Sequence, residues 1–96
     1  MLFLVISSPR PEEPAAINAA RQRFWPWVQG LTDQGKVKSV HAKVGRGAVV
    51  LFDVASNEEL HLHLTSWSNL IPATFDIHTL IDMDRAREFL RQQATL

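Results

Sequence analysis

The sequence contains no cysteine, which removes three kinds of chemistry from consideration. A chain without thiols builds no disulfide framework, holds no iron–sulfur cluster and has no thiol nucleophile. The sequence also has no excess of either charge, because ten basic residues balance ten acidic ones. Affinity for nucleic acid depends on basic side chains that neutralise phosphates, so we expect no nucleic-acid partner.

A long apolar run is also missing. The opening segment Met1–Ile6 is apolar for only six residues and no basic segment precedes it. It is too short for a membrane span or a secretory signal, so we expect no membrane association and a cytoplasmic location. At 96 residues and 46% hydrophobic composition, residues 1–96 are expected to form a single globular domain. Because so small a domain leaves much surface exposed and its net charge is zero, we also expect a homo-oligomer.

Hydrophobic periodicity predicts alternating strands and helices. In chain order the predicted elements are a strand over 1–7, a helix from Pro14 to a stop at Gly35, strands over 37–44 and 48–54, a helix capped by Ser56 and ended by Pro72, a strand over 75–82, and a short helix capped by Asp84. The first strand does not alternate, which predicts burial on both faces. Residues 60–64 alternate like a strand, but the preceding capping box favours a helix.

The order βαββαβ with a terminal helix predicts an α+β fold, a ferredoxin-like sandwich. The expected sheet is antiparallel, with strand order four, one, three, two and helices on one face. The other face stays open, and a small domain has to cover such a surface. We expect a second copy to cover it sheet to sheet, giving a dimeric α/β barrel.

The sequence resembles a known family over nearly its whole length. The run Phe52–His61 (FDVASNEELH), followed by Leu64, Pro72 and Asp76-Ile77, is similar to the second half of muconolactone delta-isomerases. Further matching positions are Met1–Val5, Glu13-Pro14-Ala15, Gly35 and Gly45. The resemblance implies ferredoxin-like domains that assemble into dimers or larger rings. It also implies a reaction without metal or cofactor, in which a proton moves within an unsaturated lactone during aromatic catabolism.

Two strand histidines are the candidate catalytic bases. A 1,3-proton shift requires a base, a donor that holds the developing enolate, and a sheltered pocket. His78 and His41 are predicted to point to the open face from opposite edge strands, roughly 14 Å apart in one chain at ~4.8 Å per strand. The alternative interpretation is that both are ordinary polar residues of an oligomer interface.

Charged and aromatic residues supply the candidate binding groups. Arg46 in the hairpin is the preferred anchor for an anionic substrate, and Lys43 is the second candidate. Trp25 lies off the predicted core face, which is typical of either a pocket wall or an oligomer contact. Asp53 and Asp76 match the family, and each either binds or orients a charged group or has a structural role.

Other candidates carry less weight. Arg21 and Arg23 on the first helix are additional possible carboxylate anchors. His61 and His63 would share a metal ion on a strand, but on a helix they point about 200° apart, so no metal site is expected.

The resemblance, together with the strand histidines, implies a cofactor-free isomerase that moves a proton within an unsaturated lactone or a similar enolisable anionic small molecule. One alternative is a small-molecule-binding or accessory protein on the same scaffold, without turnover. Another is a cofactor-free monooxygenase or tailoring enzyme of the same dimeric barrel type.

Overall fold

A computed structural model describes residues 1–94 of the chain, which form one antiparallel sheet with helices on one face. The elements are β1 (Leu2–Pro9), α1 (Pro14–Asp33), β2 (Val37–Ala42), β3 (Ala48–Asp53), α2 (Asn57–Leu70), β4 (Ala73–Leu80) and α3 (Met83–Ala94). The strand order is β2-β3-β1-β4, and every neighbouring pair is antiparallel. The predicted α+β ferredoxin-like arrangement and its strand order are therefore confirmed.

The first strand alternates in burial, although its sequence does not alternate in polarity. Phe3, Val5 and Ser7 face the helices and are buried, whereas Leu2, Leu4 and Ile6 face the other side and are half-buried. The prediction that β1 is buried on both faces is wrong for a single chain, because α1 and α2 both lie on the same side of the sheet. The half-buried face is the open face of the sheet.

The core lies between the sheet and the first two helices. Three apolar positions on α1 (Phe24, Val28 and Leu31) and three on α2 (Leu60, Leu64 and Trp67) are buried against it. Val5, Val50 and Phe52 contribute the sheet side and are fully buried. This side of the sheet therefore supplies the apolar burial that stabilises the fold.

The start of α2 settles the ambiguous segment 60–64. The Ser56 hydroxyl accepts a hydrogen bond from the Glu59 N–H at 3.1 Å, and the Glu59 carboxylate accepts one from the Ala55 N–H at 2.9 Å. The first bond satisfies one of the donors that a helix start leaves without partners, and the second holds the Glu59 side chain against the residue before the cap. The segment is helical, as the capping residues predict.

The last strand and helix begin earlier than the sequence predicts. β1 runs on to Pro9, which pairs with Ala73, so β4 covers Ala73–Leu80 instead of 75–82. The prediction that Asp84 caps the last helix is wrong, because α3 begins at Met83 and the Asp82 carbonyl accepts from the Ala86 N–H at 3.0 Å. Within residues 1–94 every helix is too short or too polar to span a bilayer.

Candidate functional site

A cavity of about 300 Å³ opens between α1, the β2–β3 hairpin and the end of β1. We call it the Arg46 pocket. Its charged lining residues are Arg21, Lys43 and Arg46, and its aromatic lining residues are Phe24, Trp25 and Trp67. The size suits a small ring compound, and an apolar wall with a few polar groups is typical of small-molecule sites.

The β2–β3 hairpin sets one side of the pocket through its glycines. Gly45 and Gly47 flank Arg46 with φ of 96° and 113°, a backbone conformation that favours glycine. A Cβ on Gly47 would lie 2.5 Å from the Ser7 carbonyl oxygen and 3.1 Å from Cδ of Lys43. Glycine at position 47 therefore allows the hairpin to approach β1 closely.

Lys43 is fixed at the pocket by two hydrogen bonds. Its backbone N–H donates to the Gly47 carbonyl at 2.9 Å, and its Nζ donates to the Ser7 carbonyl oxygen at 3.0 Å. Ser7 is itself buried, and its hydroxyl accepts from the Ala48 N–H at 2.9 Å. An ammonium group has three donors and this arrangement uses one, so Lys43 can also donate to a ligand.

Arg46 presents a donor without a partner. Its Nε atom is buried, and no acceptor within the described residues bonds to it. A buried donor left unsatisfied costs about 1–3 kcal/mol, and more when the group is charged. An anionic oxygen in the pocket would satisfy this donor, with Lys43 and Arg21 adding positive charge to the same lining.

The aromatic walls of the pocket belong to one cluster of rings. Phe24 contacts Trp25 edge-on, with 5.2 Å between ring centroids, and contacts Trp67 at the same separation. Trp67 is 1% exposed, whereas Trp25 is 47% exposed. The cluster therefore combines a rigid buried wall with an accessible ring that a planar ligand can contact.

The structure does not bring the strand histidines into this pocket. His78 pairs with Leu4 and His41 with Val49, so both imidazoles lie on the open face. Asp76 pairs with Ile6 on the same face. A strand histidine and Arg46 therefore share no cavity within one chain, because the sheet lies between them.

Asp53 also lies away from the pocket, at the opposite end of the sheet. Its carboxylate is 3.4 Å from the amino group of Met1 and 3.6 Å from Nζ of Lys38. Both contacts are partly exposed ion pairs, which contribute little to stability. Asp53 therefore pairs with Met1 and Lys38 and does not line the Arg46 pocket.

The helix histidines have separate surroundings. His61 is exposed, whereas His63 stacks on Phe52 at 6.1 Å between ring centroids and lies 3.9 Å from the Glu59 carboxylate. The hydrogen bond from Lys36 is the main cause that lowers the pKa of Glu59, and the Ala55 N–H lowers it further. Among residues 1–94, no three His, Asp or Glu side chains form a group that could hold a metal ion.

One pocket residue, Ser7, carries a sequence signal that hydrophobic periodicity does not detect. Ser7 falls on the same face of β1 as Phe3 and Val5, so it is a polar group at a buried position. Buried hydroxyls require a hydrogen-bond partner, and such a position is a reasonable candidate for a site. No sequence pattern predicts that Phe24 and Trp67 line the pocket, because both side chains also occupy core positions on their helices.

Comparison with solved structures supports the fold. The chain is similar in structure to 5-chloro-2-hydroxyhydroquinone dehydrochlorinase (TftG) from Burkholderia phenoliruptrix AC1100. That structure of TftG is a complex with 2,5-dihydroxybenzoquinone. The TM-score is 0.62 and the identity 16%, over 88% of this chain and 98% of that one. No curated protein is similar enough in sequence to match this chain.

Comparison of the sequence with models of protein families shows which family the chain belongs to. The family described as "Domain of unknown function (DUF3303)" matches residues 1–94, which is nearly the whole chain. The chain therefore belongs to the DUF3303 family.

Proposed function

We propose that this chain is a cofactor-free enzyme that binds an anionic, unsaturated ring in the Arg46 pocket and moves a proton within it. The observation that carries the proposal is the buried Nε of Arg46, which has no partner in a cavity that also holds Lys43. A donor of this kind is prepared for an oxyanion before the ligand arrives, and preorganised donors are a main source of enolate stabilisation.

The lining of the pocket matches an anionic ring in both shape and charge. Trp25 and Trp67 offer flat apolar surface, while Arg46, Lys43 and Arg21 offer positive charge. No carboxylate is among the pocket's lining residues within the described chain, so nothing there repels an anion. Guanidinium groups bind carboxylates and enolates through charge-assisted hydrogen bonds.

Lys43 is the proposed proton carrier. The Lys43 ammonium first releases one proton to solvent. Its amine then takes the proton from the carbon next to the ring carbonyl, and the electron pair of that C–H bond moves to the carbonyl oxygen as an enolate. Arg46 holds the enolate oxygen, and the Lys43 ammonium then returns the proton to the far carbon of the conjugated system. A neutral amine keeps two N–H bonds, so its bond to Ser7 is compatible with this role.

The structural neighbour fits this substrate class. TftG is named for its action on a chlorinated hydroxyhydroquinone, and its structure holds 2,5-dihydroxybenzoquinone, a planar ring with acidic oxygens. The resemblance to muconolactone delta-isomerases suggests an unsaturated lactone acid instead. Both ligands are flat, enolisable and anionic, which is the shared chemistry that the Arg46 pocket suits.

The main alternative is a binding protein on the same scaffold. The pocket would then hold the anion without turnover, since fold alone does not determine function. The second alternative is a monooxygenase, which would consume oxygen as it acts on an enolisable substrate. Both alternatives use the same pocket, so only a reaction assay separates them.

The test is an ultraviolet assay of (S)-muconolactone with the wild type, Lys43→Met and Arg46→Gln. Wild type should convert the lactone, and Lys43→Met should lose at least ~100-fold in kcat if Lys43 transfers the proton. Arg23→Gln removes the same charge from an exposed position of α1 outside the pocket, so it should keep wild-type activity. Binding without turnover would establish the alternative, and turnover that survives both pocket variants would contradict the proposed site.

A further inference from the structure

Ser7 is the only buried polar residue among residues 1–94, and it is 2% exposed. Its side chain lies on the helix-facing side of β1, in line with Phe3 and Val5, which are both buried and apolar. A hydroxyl at such a position costs free energy unless its hydrogen bonds are made. The partners of the Ser7 hydroxyl therefore show what the position is for.

The strand pairing around Ser7 explains why a side chain bonds there. β1 pairs with β3 only as far as Ile6. Beyond that pair, the Ala48 N–H donates to the Ser7 hydroxyl at 2.9 Å, and Nζ of Lys43 donates to the Ser7 carbonyl oxygen at 3.0 Å. Side-chain bonds thus replace the main-chain ladder where the two strands separate, and the Arg46 pocket opens at this point.

The Ser7 hydroxyl has a donor that the chain leaves unused. A serine hydroxyl accepts through its lone pairs and donates one hydrogen, which rotates to suit its partner. The oxygen accepts from Ala48, but the hydrogen has no acceptor within residues 1–94. Because Ser7 lines the Arg46 pocket, a ligand oxygen in the cavity can supply that acceptor. The bond from Ala48 also polarises the O–H group, since hydrogen bonds in a chain strengthen one another.

Ser7 and Arg46 reach the pocket from different elements. Ser7 lies on β1, whereas Arg46 lies in the β2–β3 hairpin between Gly45 and Gly47. Each residue presents a buried donor without a partner, the hydroxyl hydrogen of Ser7 and Nε of Arg46. Two donors on two elements suit a ring with two separate oxygens better than a ring with one anionic group alone.

We infer that the Ser7 hydroxyl donates to a second oxygen of the bound ring, separate from the anionic group that Arg46 holds. The inference rests on the proposed anion site and makes that site selective. A ring with a hydroxyl or carbonyl oxygen besides its anionic group satisfies both donors. A ring without it leaves the Ser7 hydrogen buried and unpaired, and such a site discriminates against the analogue that lacks the oxygen. Ser7 is thus a specificity-determining residue of the pocket.

Benzoate and its three monohydroxy isomers test this selectivity by isothermal titration calorimetry. All four acids carry one carboxylate, and only the isomers add a ring oxygen. Wild type should bind at least one hydroxybenzoate about 3- to 10-fold more tightly than benzoate, the net contribution of one neutral hydrogen bond. Ser7→Ala should lose that preference. The main-chain carbonyl that bonds Lys43 is unchanged in this variant.

Three further variants separate this role from a structural one. Ser8→Ala is the matched control, because Ser8 is the next residue of β1, is exposed and does not line the pocket, so the preference should stay. Arg46→Gln should weaken all four acids, since each presents the carboxylate. Ser7→Cys serves if Ser7→Ala does not fold, as circular dichroism shows. Its thiol is a weak acceptor for the Ala48 N–H and a weak donor, so the preference should fall here too.

The outcomes distinguish this inference from the proposed anion site. A preference that survives in both Ser7 variants, or no preference in wild type, would overturn the role of Ser7 and leave the anion site standing. An equal loss of affinity for benzoate and the hydroxybenzoates in the Ser7 variants would also overturn it, because a structural role weakens all four acids alike. Binding of none of the acids by wild type would contradict the anion site, and the role of Ser7 with it.

Discussion

The ammonium group of Lys43 donates a hydrogen bond to the main-chain oxygen of Ser7 at 3.0 Å, across the gap between the β2–β3 hairpin and β1. The approach depends on Gly47, whose missing side chain leaves room for both partners. The shape of the Arg46 pocket is therefore built into the hairpin, and the charge of Lys43 is held where a ligand can reach it.

Three glycine-to-alanine variants separate backbone strain from close approach at this hairpin. Gly45→Ala meets no atom within 4 Å but has φ of 96°, so strain should cost about 1–2 kcal/mol. Gly47→Ala adds the contact with Ser7 and should cost more than Gly45→Ala. Gly30→Ala lies within α1 with open space and should stabilise by about 0.5–1 kcal/mol. Urea denaturation measures all three, and equal losses at 45 and 47 would show that the close approach is not sensitive to a methyl group.

Alanine variants of the strand histidines test where the chemistry takes place. His78 and His41 lie on the open face, across the sheet from the Arg46 pocket. If the reaction takes place in the pocket, His78→Ala and His41→Ala should change kcat by less than about threefold, whereas loss of a general base costs about 100-fold or more. Steady-state kinetics on the substrate that the wild type converts decides this. A 100-fold loss would instead place the base on the open face, as the sequence predicts.

The ion pair of Glu59 with Lys36 should make stability depend on pH in acid. The bond from Lys36, 2.7 Å long, and the Ala55 N–H lower the pKa of Glu59 from its ordinary value of 4.5. A carboxylate whose pKa is lower in the folded than in the unfolded chain stabilises the fold at pH values above the unfolded pKa. That contribution is lost as the pH falls below about 4.5.

The measurement compares the free energy of unfolding of wild type and Glu59→Gln between about pH 6 and about pH 3. The wild type should be the more stable protein at the upper end, and the difference should shrink towards the lower end. Glu58→Gln, a neighbouring exposed position in the first turn of α2, is the control and should show a smaller pH-dependent difference. A constant difference for Glu59→Gln would show that the carboxylate's charge is not the cause.

Local patterns in the sequence were enough to predict the fold. The spacing of apolar residues predicts α1, the cap at Ser56 predicts the start of α2, and the glycines around Arg46 predict the β2–β3 hairpin. Short connections between these elements then restrict the topology. Element ends shifted because they depend on tertiary pairing, as when the contact of Pro9 with Ala73 moves β4 by two residues. The exposure of α3, in which no residue is buried, followed from no local pattern.

The candidate site was predictable only in part. The structure places Arg46, Lys43 and Trp25 around one cavity, and charge and hairpin position pointed to them from the sequence. Side-chain alternation placed His78 on the open face, which the register shows. What alternation could not show is which face of the sheet holds the cavity, since that depends on how closely α1 packs over the hairpin.

Anion binding in the Arg46 pocket is tested by titrating the wild type and Arg46→Gln with 2,5-dihydroxybenzoquinone and following tryptophan fluorescence. Trp25 lines the pocket, so a bound quinone should quench its emission. An anion site at Arg46 should give saturable quenching in wild type and in Arg23→Gln, and affinity about 10- to 100-fold weaker in Arg46→Gln, the cost of one charge-assisted hydrogen bond. Equal affinity of wild type and Arg46→Gln, or no saturable quenching at all, would contradict an anion site in the Arg46 pocket.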